Sequence, residues 1–329
     1  MRGRRFLIVA GVAIALVTAA CSSGPGDGSS LSGPVVVSGS STVEPITSLV
    51  AEKFQIENRA TEPSVDGPGT SDGFELFCSG ETDINNASRP IDEAEVKACK
   101  DSGVEFVELE VALDGLSVIG NPGNPIDCLN FGDLYALFGP ESGDVRSWAD
   151  ANQLASEVKG NGGFPDAPLT IVAPGEESGT YGSFIDLAIG DIAEERGQPD
   201  DQLRTGYQSS GDDNVIVDNA AGTPSGLGFV GLAYADNAGD SVKEFEIDGG
   251  DGCVEPSAET VIDGTYPLSR SLYVYVSLPA AEARPQVAAF VDHYLSDDGF
   301  ASVEEVGYVS LPADRIEATR AAWEEAQAS

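Results

Sequence analysis

The chain has 329 residues, and its 55 Asp and Glu against 17 Lys and Arg give a formal net charge of −38 at pH 7. This length suits two domains of roughly 100–200 residues each. With 41% hydrophobic residues the chain can build a sizeable core, which excludes wholesale disorder. The excess of acids argues against nucleic-acid binding, because phosphate backbones are bound by clustered Lys and Arg. Such acidity is typical of a solvated surface.

The N-terminus has the pattern of an export signal. Three arginines among the first five residues precede an apolar run over residues 6–17, and small residues follow directly before Cys21. The apolar run is shorter than the roughly 20 residues that a membrane-spanning helix needs. Small residues ending at a cysteine resemble a bacterial lipobox, in which residues 1–20 are removed and Cys21 is lipidated. The alternative is ordinary secretion with an unmodified Cys21.

Residues 21–33 are predicted to form a lipidated cysteine followed by a flexible tether. After Cys21 the segment is rich in glycine and serine and almost devoid of apolar side chains. We therefore expect a soluble domain held at the outer face of the bacterial cytoplasmic membrane, or in the periplasm, by a lipid anchor alone.

In the remainder of the chain, short β-rich runs alternate with helical patterns, which predicts an α/β fold with sheets covered by helices. The predicted strands cover residues 34–38, 105–111, 116–120, 169–173, 226–230 and 271–277. The predicted helices cover residues 43–58, 92–102, 181–190, 286–296 and 314–325. In the first helix, Val43, Ile46 and Val50 belong to one apolar stripe that should face a sheet.

The chain has one histidine, His293, which restricts the catalytic sites that it can form. A Ser-His-Asp or Cys-His site could use no other residue, and His-rich zinc sites are excluded. His293 lies in a segment whose apolar residues recur at helical spacing, so we expect a helix-surface residue and not a catalyst.

Four cysteines remain after Cys21: Cys78, Cys99, Cys128 and Cys253. Export makes disulfides possible, and four cysteines allow three pairings, among which spacing alone cannot choose. A metal site is the weaker interpretation, because no C-x-x-C spacing occurs.

Three clusters of glycine and small hydroxyl residues stand where helices are predicted to begin, at residues 39–42, 67–73 and 176–180. Helix N-termini present unpaired N–H groups and the positive end of a dipole, which suits an anion. Each cluster alone is more typical of helix capping. Their recurrence, with Arg89 nearby, favours a ligand shared by all three.

These clusters carry a family resemblance. The segments SGSSTVEP, GPGTSDGFELFCSGETDINNASRPI, GEESGTYGSF and DDNVIVDNAAGTPSGLGFVGLAY occur in this order within residues 33–311. Together they resemble the periplasmic phosphate-binding component of Pst-type phosphate ABC transporters. The resemblance implies a type II periplasmic-binding-protein fold, with two α/β lobes joined by a two-strand hinge and the ligand cleft between them.

The resemblance also implies a division of the chain. Lobe one would comprise residues 34–112 plus 268–329 and lobe two residues 113–267, with hinge strands near residues 108–112 and 268–273. The pairings Cys78–Cys99 and Cys128–Cys253 would then each lie within one lobe.

The family's phosphate contacts carry over to a set of residues in three clusters. These are Ser41, Thr42, the backbone N–H of Val43, Thr70, Ser71, Ser178, Gly179 and Thr180. Arg89 stands where known members have an aspartate, and Pro174 stands where they have an arginine. We therefore expect Arg89 to provide a bidentate fork for phosphate. Its alternative role is a salt bridge with Asp83 or Glu177.

In the family, the aspartate at the position of Arg89 accepts a hydrogen bond from a protonated phosphate oxygen and so rejects sulfate. Another acceptor is needed in this chain. Glu177 is the first candidate, and Asp72 and Asp212 are others.

The function that the resemblance implies is high-affinity extracytoplasmic binding of inorganic phosphate by a monomer and its delivery to the transmembrane subunits of an ABC permease. We expect no enzyme activity, no cofactor, no metal and no nucleic-acid partner. The alternatives are a binding protein for another oxyanion, such as sulfate or molybdate, and an exported phosphatase using Ser178 or Ser41. A phosphate sensor or an adhesive module would have the same site.

Overall fold

Strands and helices alternate along the chain, as predicted for an α/β fold. The computed structural model describes residues 31–176 and 178–328. Its strands are β1 (Gly33–Gly39), β2 (Thr61–Val65), β3 (Ile84–Ala87), β4 (Phe106–Gly120), β5 (Cys128–Asn130), β6 (Thr170–Ala173), β7 (Gln208–Ser209), β8 (Gly226–Gly231), β9 (Lys243–Glu244), β10 (Glu246–Asp248), β11 (Cys253–Val254) and β12 (Ser269–Ser277).

The α-helices lie between and after these strands. They are α1 (Glu44–Glu57), α2 (Thr70–Ser79), α3 (Glu93–Ser102), α4 (Phe131–Phe138), α5 (Ala151–Glu157), α6 (Gly179–Phe184), α7 (Gly190–Glu195), α8 (Asp213–Gly222), α9 (Leu232–Ala238), α10 (Ala258–Ile262), α11 (Leu278–Ala283), α12 (Pro285–Tyr294), α13 (Asp297–Glu305) and α14 (Ala313–Ala328). A π-helical turn over Ile185–Ile189 joins α6 to α7, so the chain continues as one helical segment. In the part of the chain that the structure describes, we find no helix with both the length and the apolarity that crossing a bilayer requires.

The large sheet has the strand order β2-β1-β3-β12-β4-β8-β6-β7, with β9 also paired to β4. Strand β1 is parallel to β2 and β3, whereas β12 is antiparallel to both β3 and β4. A smaller sheet contains β11, β10 and β5. The helices cover these sheets, and α1 buries Ile46, Val50 and Phe54, the stripe predicted from the sequence.

Two long antiparallel strands, β4 and β12, cross from one half of the molecule to the other. The first part of β4 pairs with β12, and its last part, from Leu116 onward, pairs with β8. The predicted hinge segments at residues 108–112 and 268–273 overlap these strands, and the β4–β12 register shifts between Leu272 and Tyr273. The lobe boundaries themselves stay a prediction.

Two local predictions differ from the structure. Residues 105–111 and 116–120 were predicted as separate strands but belong to one strand, β4, because Asp114 and Gly115 stay in register with β12. His293 lies on a helix as expected, but its side chain is only 12% exposed and packs against α1, with its ring centroid 5.7 Å from that of Phe54.

Both disulfides implied by the family resemblance are present, Cys78–Cys99 and Cys128–Cys253. The first joins α2 to α3, and the second joins β5 to β11 in the smaller sheet. A disulfide stabilises a fold chiefly by restricting the unfolded chain, more so for longer loops. In the chain-entropy account these bridges, at sequence separations of 21 and 125 residues, contribute about 3 and about 5 kcal/mol.

The lipidation predicted at Cys21 and most of the predicted tether lie outside the described residues. The structure describes only the last three tether positions: residues 31 and 32 precede β1, and Gly33 is its first residue.

Helix α2 packs against the end of β1 without a side chain between them. A Cβ atom added at Gly73 would lie 2.1 Å from Asn85 Oδ1 and 2.4 Å from the Cα of Gly39. Such distances require the backbone to move, since real Cβ atoms do not approach other atoms so closely. Glycine at this position therefore fixes how close the start of α2 comes to β1.

The substitution Gly73→Ala should lower the free energy of unfolding by about 1–3 kcal/mol, the usual cost of overpacking a filled site. Gly222→Ala is the matched control, because it also adds a methyl group to a helix but meets nothing within 4 Å. The control should change stability by less than about 1 kcal/mol. Urea unfolding measures both, and equal effects would contradict the close packing of α2 on β1.

Candidate ligand-binding site

The start of α1 is formed by a tight connection after β1. Gly39 has φ +132°, which favours glycine, and an added Cβ would lie 2.2 Å from the Asn86 carbonyl oxygen. The next residue, Ser40, donates its N–H to that same oxygen at 2.8 Å. Thr42 is buried, whereas Ser41 is exposed. The Val43 N–H, predicted as a ligand donor, donates to the Ser40 carbonyl oxygen at 3.2 Å.

The start of α2 lies beside the start of α1. Gly69 has φ +122° and donates its N–H to the Gly39 carbonyl oxygen at 2.9 Å. A Cβ at Gly67 would lie 2.9 Å from the Cα of Ser41. Thr70 Oγ1 accepts a hydrogen bond from the Ser88 N–H at 3.2 Å. The first two predicted clusters therefore meet.

The start of α6 lies against the same place from the other half of the molecule. Ser178 caps this helix by accepting the Thr180 N–H at 3.2 Å. A Cβ at Gly179 would lie 3.1 Å from the Ser41 carbonyl oxygen. Further along α6, Ser183 Oγ lies 3.1 Å from Thr42 Oγ1. All three predicted clusters thus converge around Ser41 and Thr42.

A cation that the sequence reasoning missed lies at this convergence. Arg270, on β12, donates from Nη2 to Thr42 Oγ1 and to Ser183 Oγ, both at 3.1 Å. Its Nη1 donates to Asp186 Oδ2 at 3.0 Å, and its Nε lies 3.5 Å from Asp114 Oδ2. The side chain is only 14% exposed. This guanidinium therefore contacts groups from β4, from the connection between β1 and α1, and from the helical segment that begins with α6.

The signal for Arg270 lies in the charges beside the predicted strands. Arg270 directly precedes the predicted strand 271–277, Asp114 lies between two predicted strands, and the two residues are direct partners in the β4–β12 register. A charge beside an apolar segment needs a partner if the fold buries it. The pairing of these two residues could be found only with the strand order known.

Arg89 lines the same cleft but is already paired. Its guanidinium donates to both carboxylate oxygens of Glu95, at 2.9 and 2.7 Å, and to Ser71 Oγ at 2.9 Å. The bond to Glu95 is the main reason that its pKa is raised. Of the two ion-pair partners proposed from the sequence, Asp83 instead pairs with Arg284, and Glu177 lies outside the described residues. Contact between Arg89 and a ligand stays a prediction.

An open cleft of about 1080 Å³ is lined by residues of both halves. Predicted site residues among its lining are Ser41, Thr42, Thr70, Ser71 and Arg89. Six acidic residues line it as well: Asp72, Asp186, Asp191, Glu194, Asp200 and Asp201. The cleft lining does not include Ser178, Gly179 or Thr180. Of these three, Gly179 lies next to Ser41, which does line the cleft.

The candidate proton acceptors are dispersed. Asp72 lines the cleft, and Asp212 caps α8 by accepting the Asn214 N–H at 3.0 Å. Glu177 lies outside the described residues. A further acid, Asp114, is buried beneath Arg270, and burial raises its pKa although Arg270 opposes this shift.

Within residues 31–176 and 178–328, one group of His, Cys, Asp and Glu side chains has its ligand atoms close enough for a metal ion. It consists of Cys128, Glu246 and Cys253. The two sulfur atoms are joined in a disulfide, so they are not available as thiolates, the form that binds metals.

Comparisons with known proteins agree with this architecture. Residues 22–298 match the PBP superfamily domain. Protein SphX of Synechococcus elongatus is 38% identical over 281 residues, which cover 85% of this chain and 78% of that protein. The phosphate-binding protein PstS of Staphylococcus saprophyticus is 32% identical over 306 residues, covering 92% and 88%. The crystal structure of a possible phosphate binding protein from Planctomyces limnophilus superposes with a TM-score of 0.80 at 32% identity, covering 90% of this chain and 99% of that one.

The expected fold class is therefore confirmed: the molecule has the type II arrangement of two α/β lobes joined by two strands. On the family match and on relatives above 30% identity over most of both chains, the chain belongs to the PBP superfamily, in the family of SphX and PstS proteins.

Proposed function

We propose that this protein binds inorganic phosphate outside the cytoplasm and delivers it to an ABC permease. The observation that carries the proposal is the convergence of three helix starts and Arg270 around Ser41 and Thr42. Relatives and structural neighbours named as phosphate-binding proteins support the choice of ligand. Capture without conversion fits this site, since its centre is a set of hydrogen-bond donors.

The chemistry of the site suits a tetrahedral anion. Helix starts supply N–H groups and the positive ends of dipoles, and hydroxyl groups supply further donors. A nearly dry anion is tolerated only when its oxygens accept hydrogen bonds. The proposed ligand set is Ser41, Thr42, Val43, Thr70, Ser71, Ser178, Gly179 and Thr180. Arg270 contacts Thr42 and Ser183 at the convergence itself and is 14% exposed, whereas Arg89 is 38% exposed. We therefore assign the main cationic contact to Arg270.

Binding would proceed by hinge closure. Phosphate would bind first to the hydroxyl and N–H groups of one lobe in the open cleft. The α6 start already lies against Ser41 and Thr42 in the described structure. Bending of β4 and β12 would open this contact to admit phosphate and then bring the α6 start back onto the remaining oxygens. A ligand shifts such an equilibrium only by binding the closed state more tightly than the open one. The closed form would be the one that the permease subunits recognise.

Titration calorimetry with phosphate, sulfate, arsenate and molybdate tests the proposed ligand directly. We expect phosphate to bind at least about a hundredfold more tightly than sulfate, a difference of about 2.7 kcal/mol. Equal affinities for the two anions would overturn the phosphate assignment in favour of a general oxyanion-binding protein. Turnover of a phosphate ester, abolished by Ser178→Ala, would instead indicate a phosphatase.

The substitution Arg270→Gln should weaken phosphate binding by about tenfold to a hundredfold, since a hydrogen bond to a charged group contributes about 1.5–3 kcal/mol. Arg89→Gln is the comparison and should cost less than about tenfold, because that guanidinium contacts Ser71 and Glu95 and is 38% exposed, so water screens its charge. Calorimetry on variants whose circular dichroism matches that of the wild type measures both. A larger loss for Arg89→Gln would return the main cationic role to Arg89.

We further propose that the protein is a monomer held at the outer face of the membrane by lipid on Cys21 alone. Its Gly/Ser-rich tether would leave the binding domain free to reach the permease. One acyl chain binds a membrane only reversibly, so stable anchoring needs the several chains of a bacterial lipoprotein.

The substitution Cys21→Ala should release the protein from the membrane fraction or leave its signal uncleaved. Mass spectrometry of the wild-type N-terminus should find the lipid on Cys21. A wild-type protein that begins at another residue and carries no lipid would contradict the anchor and indicate ordinary secretion. Phosphate affinity of the soluble domain should be the same in both forms.

A further inference from the structure

The charge of Arg270 is already balanced before any ligand arrives. Its guanidinium contacts two carboxylates, Asp186 through Nη1 at 3.0 Å and Asp114 through Nε at 3.5 Å. Its Nη2 is engaged by the hydroxyls of Thr42 and Ser183. The immediate cluster thus carries one positive and two negative charges. The net charge of this cluster is therefore negative, so it would repel an added anion.

The two carboxylates differ sharply in their surroundings. The Asp186 side chain is 53% exposed, so water screens its charge. The Asp114 side chain is 3% exposed, and its Oδ2 lies 3.5 Å from Arg270 Nε, too far for a strong hydrogen bond. Ser183 and Arg270 are the groups whose hydrogen bonding lowers the pKa of Asp114, against the larger effect of burial. The Nε of Arg270 is buried and lacks a close hydrogen-bond partner within the described residues. A buried carboxylate that faces an anion without full pairing is costly.

The groups that face Asp114 come from several elements. Arg270 belongs to β12, and Ser183 and Asp186 belong to α6 and the π-helical turn that follows it. Tyr308, in the segment after α13, lies close enough for its pKa to be raised by the Asp114 charge, after the larger effect of its own burial. Asp213, in α8, raises the pKa of Tyr308 in the same way. Among these charged groups, Arg270 is the one that stabilises ionised Asp114.

We propose that phosphate binding takes up one proton from solvent, and that Asp114 holds this proton in the ligand-bound protein. This inference rests on the proposed function. Phosphate would draw the guanidinium of Arg270 toward its own oxygens and add negative charge beside Asp114. A proton from the buffer joining the carboxylate makes a neutral carboxyl group and removes the repulsion. No bond of the phosphate changes in this step.

The direction of the pH dependence follows from linkage. The bound state would have the higher Asp114 pKa, because an anion has been added beside the carboxylate. Between the pKa values of the free and bound states, binding takes up a proton and becomes weaker as pH rises. For one proton, the dissociation constant rises about tenfold per pH unit in that window. Burial of Asp114 already raises its pKa in the described structure, which lowers the cost of protonation.

Calorimetry of phosphate binding at about pH 8, in buffers of different ionisation enthalpy, counts the protons taken up. Phosphate in solution is then mostly the dianion, so a proton appearing on binding must be newly acquired. We expect about one proton for the wild type, nearly none for Asp114→Asn and about one for Asp186→Asn, whose charge is solvated. Asp114→Asn keeps the size of the side chain and removes its charge.

An infrared difference spectrum of the wild-type protein identifies where the proton resides. A carboxyl C=O band should appear on phosphate binding and should be missing in Asp114→Asn. This measurement also tests the proposal if Asp114→Asn fails to fold, because the wild-type band is then decisive. Proton uptake without a carboxyl band would place the proton on phosphate and overturn the assignment to Asp114.

The outcomes separate the two proposals. A phosphate isotherm whose heat is independent of the buffer would overturn proton uptake and leave phosphate binding intact. Uptake in Asp114→Asn equal to that of the wild type would exclude Asp114 as the proton carrier. The absence of any phosphate isotherm would overturn the proposed function, and this inference with it.

Discussion

The guanidinium of Arg270 contacts groups that come from both ends of the two hinge strands. The backbone of Arg270 lies in β12, opposite Asp114 of β4. The side chain of Arg270 reaches Thr42, just before α1, and Ser183 within α6. Because β4 and β12 cross between the two halves, any bending of these strands changes the distances around this one cation. A ligand that attracts Arg270 therefore acts on the hinge and on both helix starts together.

The sequence predicted the elements whose determinants are local. The apolar stripe of α1 and the helix predicted over residues 92–102, found as α3, each depend on residues within a few turns of one another. The contacts of Arg270 could not be predicted in this way, because they depend on the register between strands far apart in the chain. The interpretation of Asp114-Gly115 as a break had the same origin, since strand pairing outweighs the turn preference of these residues.

The convergence of the three clusters depends on contacts that a local sequence pattern does not show. Each cluster alone reads as a helix cap, and Ser178 does cap its helix. What brings the clusters together is close packing of backbone at Gly73 and Gly179, where a side chain would separate the elements. Glycines in a sequence do not reveal which backbone approaches them, so only the family resemblance pointed to a shared site. The Arg89–Glu95 pair was missed although it is local, because several acids compete for each arginine in this chain.

A strongly acidic protein can still hold an anion because the opposing forces act over different distances. Repulsion between phosphate and the exposed acids of the surface is screened within about 8–10 Å at moderate ionic strength. Hydrogen bonds from helix starts, hydroxyls and Arg270 act at contact, in a partly buried site where screening is weak. The acidic side chains that repel a bound anion most strongly are therefore those that lie within the screening distance of it and are buried from water. Asp114 meets both conditions and Asp186 only the first, so the charge balance of the site depends on the protonation of one buried carboxylate.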